Sequence, residues 1–322
     1  MNRTSVANSA ALLLALLGTL ALGWPRARVR GRIARSPSPA ADGAPARIAL
    51  GNGVFAIPDA AGHLVPLRHY QRIVSTNLVT DRLLVELCEP TRILAISRAA
   101  AERKRDGFRY QGMTTVDGFG PAEAMVALRP DLVLTNSFGA PGSAERLRAA
   151  GIEVFDLGEL RGQQSLSYVA LGLGELLEVP ERAQRLVQAF TQRLRRVKAD
   201  LGARKPVRAM YLSTLGPDLQ GGTRGTSYHD ILVAAGLVDV AAAEYRDWPA
   251  YAAEQVLALA PEIIVTREGF AEGICKYPGM DHAPPCRGQG RIVELPGELL
   301  DEPGLAMLEA AEMLYRLVYG EP

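Results

Sequence analysis

Cysteine, histidine and aromatic residues are scarce in this chain of 322 residues, which has three Cys, four His, seven Phe, ten Tyr and two Trp. The histidines (His63, His69, His229 and His282) are scattered, so no H-x-x-x-H metal pair exists. No G-x-S-x-G elbow, Walker loop or dinucleotide G-x-G-x-x-G occurs; Gly172-Leu-Gly174 has no third glycine at the required place. The common hydrolase, nucleotidase and dehydrogenase readings therefore have no motif to stand on. Ser227, His229 and Asp230 lie close in sequence, but neighbours on a helix point about 100° apart and make a poor relay. His229 is expected near a helix start, where Asp230 favours the dipole. Excess charge of either sign is also missing, with 36 basic against 35 acidic residues. That balance argues against a nucleic-acid binder, which concentrates cations on one face.

The one apolar run, Ser9–Gly23, follows a short basic start and is shorter than the roughly 20 residues that a spanning helix needs. It reads as a secretory signal with Ala21-Leu22-Gly23 as a cleavage site. Arg26, Arg28, Arg30, Arg32 and Arg35 follow, a basic flank that disfavours translocation, so an uncleaved anchor is the alternative. Residues 24–46, rich in Pro, Ala, Ser and Arg, read as a disordered tether.

Of the cysteines, Cys275 and Cys286 lie 11 apart in a loop rich in Pro and Gly. In an exported chain that spacing suits a disulfide, and neither has the C-x-x-C spacing of a metal or thiol site. Cys88, in Leu83–Cys88, falls in a helical apolar pattern and is expected to be a core thiol.

What is present is a repeat. Ala122-Glu-Ala-Met-Val-Ala-Leu-Arg-Pro-Asp-Leu-Val-Leu-Thr135 matches Ala253-Glu-Gln-Val-Leu-Ala-Leu-Ala-Pro-Glu-Ile-Ile-Val-Thr266. Each copy predicts a short helix, a break at Pro, then a strand; the runs 132–134 and 263–265 are apolar throughout, as when both faces of a parallel strand are covered. A second pair precedes them. Arg72–Asn77 leads to a helix around 81–87 and a strand at 92–96, and Val207–Leu212 leads through a Gly-rich loop to Tyr228–Gly236 and a strand at 237–240. The pattern predicts an α/β chain of two Rossmann-like lobes with parallel sheets. Almost half of the residues are hydrophobic (48%), enough for two cores. Between the halves, Leu186, Phe190, Leu194, Val197 and Leu201 fall at helical spacing, with Pro180 as a start and Gly202 as a stop. The expected division is a signal or anchor at 1–23, a tether at 24–46, lobes at 47–178 and 204–322, and one backbone helix at 179–203.

Arg72-Ile-Val-Ser, Ala127-Leu-Arg-Pro-Asp-Leu-Val, the long helix and Glu254-Gln-Val-Leu-Ala together resemble the helix-braced periplasmic binding proteins of ABC importers. The resemblance covers residue 47 to the end. It implies a periplasmic protein, expected as a monomer and not an enzyme, with no cofactor of its own. Such a protein holds a small-molecule metal chelate in a cleft between the lobes and docks on permease subunits. It further implies that Glu123 and Glu254, equivalent in the repeat, pair with permease arginines. Trp248, six residues before Glu254, matches a cleft tryptophan of the cobalamin-binding relatives, and Tyr110-Gln-Gly-Met113 echoes their Trp-Gln-Gly-Met. Val116 stands where haem-binding relatives carry a tyrosine, so a corrinoid or a ferric siderophore is the expected ligand. A chelatase-like enzyme or a tethered sensor on the same fold is the alternative.

In open α/β sheets ligands lie beyond the carboxyl ends of the strands. That rule selects Ser75–Asn77 and Asn136–Phe138 on the first lobe, and Gly221–Thr226 and Arg267-Glu268 on the second. The candidate ligand contacts are thus Asn77, Tyr110, Phe138, Thr223, Arg224, Trp248 and Arg267. Arg224, in the Gly-rich segment, is suited to an anionic ligand.

Overall fold

Strand-forming residues alternate with helical segments from Ile73 onward, and the chain winds them into two sheets. The computed structural model describes residues 43–136, 142–214 and 218–321. The signal or anchor, most of the tether and Phe138 lie outside the described residues. The first sheet comprises β4 (Ile73–Ser75), β5 (Ile93–Ser97), β6 (Thr115–Val116), β7 (Leu132–Thr135) and β8 (Glu153–Asp156). It is parallel throughout, in the order β6-β5-β4-β7-β8. The second comprises β9 (Arg208–Ser213), β10 (Leu219–Gly222), β11 (Val238–Asp239), β12 (Ala250–Tyr251), β13 (Ile263–Arg267) and β14 (Arg291–Leu295), in the order β12-β10-β9-β13-β14 with β11 also on β9.

The repeat seen in the sequence holds to the level of single bonds. Ile73 on β4 faces Leu132 on β7, and Ala209 on β9 faces Ile263 on β13, so both halves pair in the same register. The helices Ala122–Ala127 and Ala253–Leu259 precede those strands, and the equivalent residues Arg129 and Ala260 both take positive φ, at 52° and 44°. A proline follows each, which disfavours the right-handed region and helps end the helix. An arginine at the start of each sheet's central strand satisfies the exposed carbonyls. Arg72 donates to Leu128 O and Arg129 O at 2.6 and 2.8 Å; Arg208 donates to Leu259 O and Ala260 O at 2.6 and 3.4 Å.

Pro180 opens the long helix, which runs 20 residues to Ala199, about 30 Å. Ala183, Phe190, Leu194 and Val197 form its buried stripe. It packs on the helix Gln163–Leu176, and Gly174 permits the close approach: a Cβ there would lie 2.4 Å from Ala183 Cβ. Leu83 and Leu84 of the first half share one hydrophobic core with Leu299 and Met307 of the second. Cys88 is buried in that core, and desolvation raises its thiol pKa. Cys275 and Cys286 form the expected disulfide.

Two features depart from expectation. The Gly-rich segment is a loop only in part: Leu219–Gly222 is β10, antiparallel to β9 and β12, so the second sheet is mixed, and Thr223–Thr226 turns into the next helix. Its glycines make room for rings, since a Cβ on Gly222 would lie 2.1 Å from Tyr228 and one on Gly221 2.5 Å from Tyr251. A three-stranded antiparallel sheet, β1 (Ile48–Gly51), β2 (Val54–Pro58) and β3 (Leu64–Pro66), precedes the first lobe. It is an element that no repeat signals.

Candidate functional site

The loop that follows β8 in the first half meets the segments around Asp230 and Asp247 in the second. After β8, Arg161 reaches from the first half to Asp247 of the second, Nη1 to Oδ1 at 2.5 Å, and its guanidinium covers the Trp248 ring at 4.9 Å. Beside this contact the Gln163 backbone N–H donates to Asp230 Oδ2 at 2.7 Å, again between halves. Thr223 N donates to Asp247 O and Asp247 N to Arg224 O, which ties the end of β10 to the Trp248 loop. The backbone that carries Arg224 is therefore tied to the segment that precedes Trp248. Trp248 is 42% exposed, but Arg161 already occupies one face of its indole.

A second contact between the halves is ionic. Arg82, from the helix Leu78–Leu87, pairs with Glu302 at 3.0 Å and with Glu309. The backbone N–H groups of Lys104 and Arg105 donate to Glu298, and Arg103 donates to Glu298 O. Glu302 is almost wholly buried, which pushes its carboxyl up to about 7 although the Arg82 guanidinium works the other way. Asp81, also buried, rises to about 6 by desolvation, against hydrogen bonds from Ser97 Oγ and N–H. Ser97 in turn caps the short helix beginning at Arg98, so Asp81 fixes the end of β5.

The remaining sequence candidates fall in other places. Asn77 caps the helix Leu78–Leu87, its Oδ1 accepting from the N–H groups of Val79 and Thr80 at 3.2 Å; only its buried Nδ2 lacks a partner among the described residues. Thr223 is fully buried and donates to Asp239 Oδ2 at 2.7 Å, so it supports the sheet and does not face a cleft. Tyr110 is 2% exposed in a small core with Ile96 and Ala100, where burial raises its phenol pKa; it is not open to a ligand as expected. Arg267 is held by both oxygens of Asp301, at 2.8 and 2.6 Å, over the bare backbone of Gly297. His229 finds its carboxylate in Asp239, Nδ1 to Oδ2 at 2.8 Å, and not in neighbouring Asp230. Glu123 and Glu254 are exposed in the first turns of their helices, with no ion-pair partner among the described residues.

Two rim residues escaped the sequence rule. Phe119, in the loop after β6, is 74% exposed, and Arg98, directly after β5, is exposed without a partner among the described residues. Arg98 carries a signal in the sequence, because it follows the strand legible at 92–96, where the strand-end rule applies. Phe119 was not, because β6 is only two residues long and has no periodicity. A cavity of about 420 Å³ lies elsewhere, between the β1–β2 hairpin and the start of the long helix, lined by Phe55, Leu67, Glu175, Glu178, Pro180 and Glu181 among others. None of the residues after the parallel strands lines it. Among the described residues no helix is long and apolar enough to cross a membrane.

Comparison with known proteins accords with this geometry. The family model described as periplasmic binding protein matches residues 73–312. Relatives include a vitamin B12-binding protein of Yersinia pestis (strain Pestoides F), 24% identical over 223 residues, covering 66% of this chain and 77% of that protein. A vitamin B12-binding protein of Salmonella paratyphi A is 28% identical over 147 residues, 44% of this chain and 53% of that one. Solved structures share the fold. A possible iron-binding (periplasmic solute-binding) protein from Staphylococcus epidermidis superposes with a TM-score of 0.69 at 19% identity, over 78% of this chain and all of that one. A periplasmic heme-binding protein from Pseudomonas aeruginosa gives 0.63 at 23% identity, over 78% and 93%. With a family match across most of its length and two α/β halves braced by one helix, this chain belongs to the periplasmic binding protein family and has a substrate-binding role.

Proposed function

We propose that the protein captures a metal-chelate ligand, a corrinoid or a ferric siderophore, at the rim between its two sheets and delivers it to an ABC importer. The observation that carries this reading is a set of exposed side chains in loops that follow strands of both halves: Phe119 and Trp248, with Arg98 and Arg224, cations with no partner among the described residues. Flat aromatic faces suit a macrocycle or an aromatic chelate, and guanidinium groups suit its peripheral carboxylates or phosphate. The relatives named for vitamin B12 support the corrinoid branch. Delivery requires docking, for which Glu123 and Glu254 offer two unpaired carboxylates on equivalent helices. The protein acts as a periplasmic monomer without a cofactor of its own. Its ligand arrives from outside and leaves through the permease.

A thermal-shift screen with cobalamin, cobinamide, haemin and ferric siderophores tests this reading. A ligand at about 100 times its Kd stabilises the folded state by about 2.7 kcal/mol. A clear shift for one chelate that is reduced in Phe119→Ala and Trp248→Ala supports the assignment. No shift across the panel on a folded sample would discard metal-chelate capture.

A further inference from the structure

The ion pairs between the halves differ sharply in burial. The side chains of Arg82 and Glu302 are 10% and 1% exposed, whereas those of Arg161 and Asp247 are 40% and 52% exposed. A buried pair resists breaking, because the charge left behind is stranded. An exposed pair is screened by water and shifts an equilibrium by no more than about fivefold. The Arg161 contact is therefore the one that can exchange partners.

The backbone beneath it is fixed. The N–H groups of Arg161 and Gly162 donate to Ser165 Oγ at 2.9 and 3.1 Å, and Gln163 N–H donates across to Asp230 Oδ2 at 2.7 Å. A Cβ on Gly162 would lie 2.2 Å from that carboxylate oxygen, so only glycine permits the approach. Exchange is thus confined to the Arg161 side chain. Its Nε and Nη2 stay within their own loop, 2.9 and 2.8 Å from Glu159 Oε2. Nη1 and the flat face of the guanidinium reach across, to Asp247 and to the Trp248 ring. Glu159 acts as the pivot, and Asp247 is the releasable partner.

The second half supplies a built seat for these groups. Asp247 takes a φ of 60°, its O accepts from Thr223 N, and its N donates to Arg224 O. A Cβ on Gly225 would lie 2.9 Å from Asp247 Oδ1, which places the carboxylate over bare backbone. Two partners can be replaced here at once. An anionic oxygen substitutes for Asp247 on Nη1, and a flat surface substitutes for the guanidinium on the indole. Asp247, half exposed, then returns to water.

We propose that Arg161 is a specificity-determining residue that competes with the ligand for Trp248. A flat ligand bearing an anionic group takes the indole face from Arg161 and takes Nη1 from Asp247 in one exchange. A flat ligand without such a group displaces the cation from the ring and gives it no new partner. The proposal rests on the capture reading above, in which Trp248 meets the ligand.

The test uses the full chain and measures binding by equilibrium dialysis at low ionic strength. The probes are cobalamin and a ferric tris-catecholate, which carry anionic oxygens, and cobinamide, which lacks the phosphate of cobalamin. Asp247→Asn keeps a residue that tolerates the left-handed turn and frees Nη1, so it should tighten the anionic probes about two- to fivefold. Arg161→Ala should weaken the same probes about tenfold and should not weaken cobinamide. Opposite signs are the signature, because a pair that merely braced the loop would weaken binding in both variants. Trp24→Phe leaves Trp248 as the single tryptophan, and its quenching by acrylamide should rise in Arg161→Ala. Binding by the wild-type chain that weakens in both variants, or changes in neither, overturns the proposal and leaves capture standing. Unchanged quenching overturns it as well. If no probe binds the wild-type chain, capture fails and the exchange falls with it.

Discussion

Removing Arg82 should expose how strongly the two halves depend on one buried cation. Its side chain is 10% exposed and that of Glu302 is 1% exposed, with 3.0 Å between Nη1 and Oε2. In Arg82→Met the Glu302 carboxylate loses its partner inside a desolvated contact. Breaking a buried pair in this way costs about 3–5 kcal/mol. For a chain of this size each kcal/mol shifts Tm by about 2–4 °C, so Tm should fall by about 10 °C. The cost should depend on pH in a defined direction. Burial already holds Glu302 at about 7, above its unfolded value, and losing Arg82 raises it further. A raised carboxyl contributes stability below its unfolded pKa and loses it as pH rises through the folded pKa. The variant should therefore be nearer wild type at pH 4.5 than at pH 8. Arg82→Met/Glu302→Met, which removes both charges, should recover most of the loss. Chemical denaturation followed by circular dichroism at the two pH values measures all three chains. A single-variant cost below about 1 kcal/mol at pH 8, or a double variant as unstable as the single, would refute the argument.

Asp81, raised to about 6, should make stability decline from about pH 4 to 6; Asp81→Asn should flatten that part of the pH profile, as urea melts can show. Arg72→Ala and Arg208→Ala should cost similar amounts, about 1–2 kcal/mol each, because each removes a pair of bonds to equivalent carbonyls. In both cases Lys should restore part of the loss. Glu123→Arg with Glu254→Arg should abolish uptake through the permease while leaving ligand affinity unchanged; unimpaired uptake would remove these residues from docking. Reducing Cys275–Cys286, or replacing both by Ser, should destabilise the loop it closes by about 3 kcal/mol in a thermal melt.

The repeat made the fold legible because identical local patterns must solve the same packing problem twice. Helix, Pro and strand in Ala122–Thr135 and Ala253–Thr266 required the same parallel pairing, and Arg72 and Arg208 ended up satisfying the same helix ends. The long helix was equally plain, since its apolar stripe spans about four turns. Site residues were less legible. The strand-end rule places a residue near the cleft, but it does not say where the side chain goes. Thr223 and Tyr110 turn into cores, Asn77 turns back to cap its own helix, and Arg267 is taken by Asp301.

The sequence by itself determined the repeated helices and parallel strands, the long helix, how the two halves correspond, and which cysteines pair. These depend on local periodicity, on turn residues and on short loops. Only the tertiary structure decided that Arg161 covers Trp248 and that Arg82 meets Glu302. Those contacts join residues far apart in the chain. Their energies come from burial and charge in three dimensions, for which a linear pattern carries no signal.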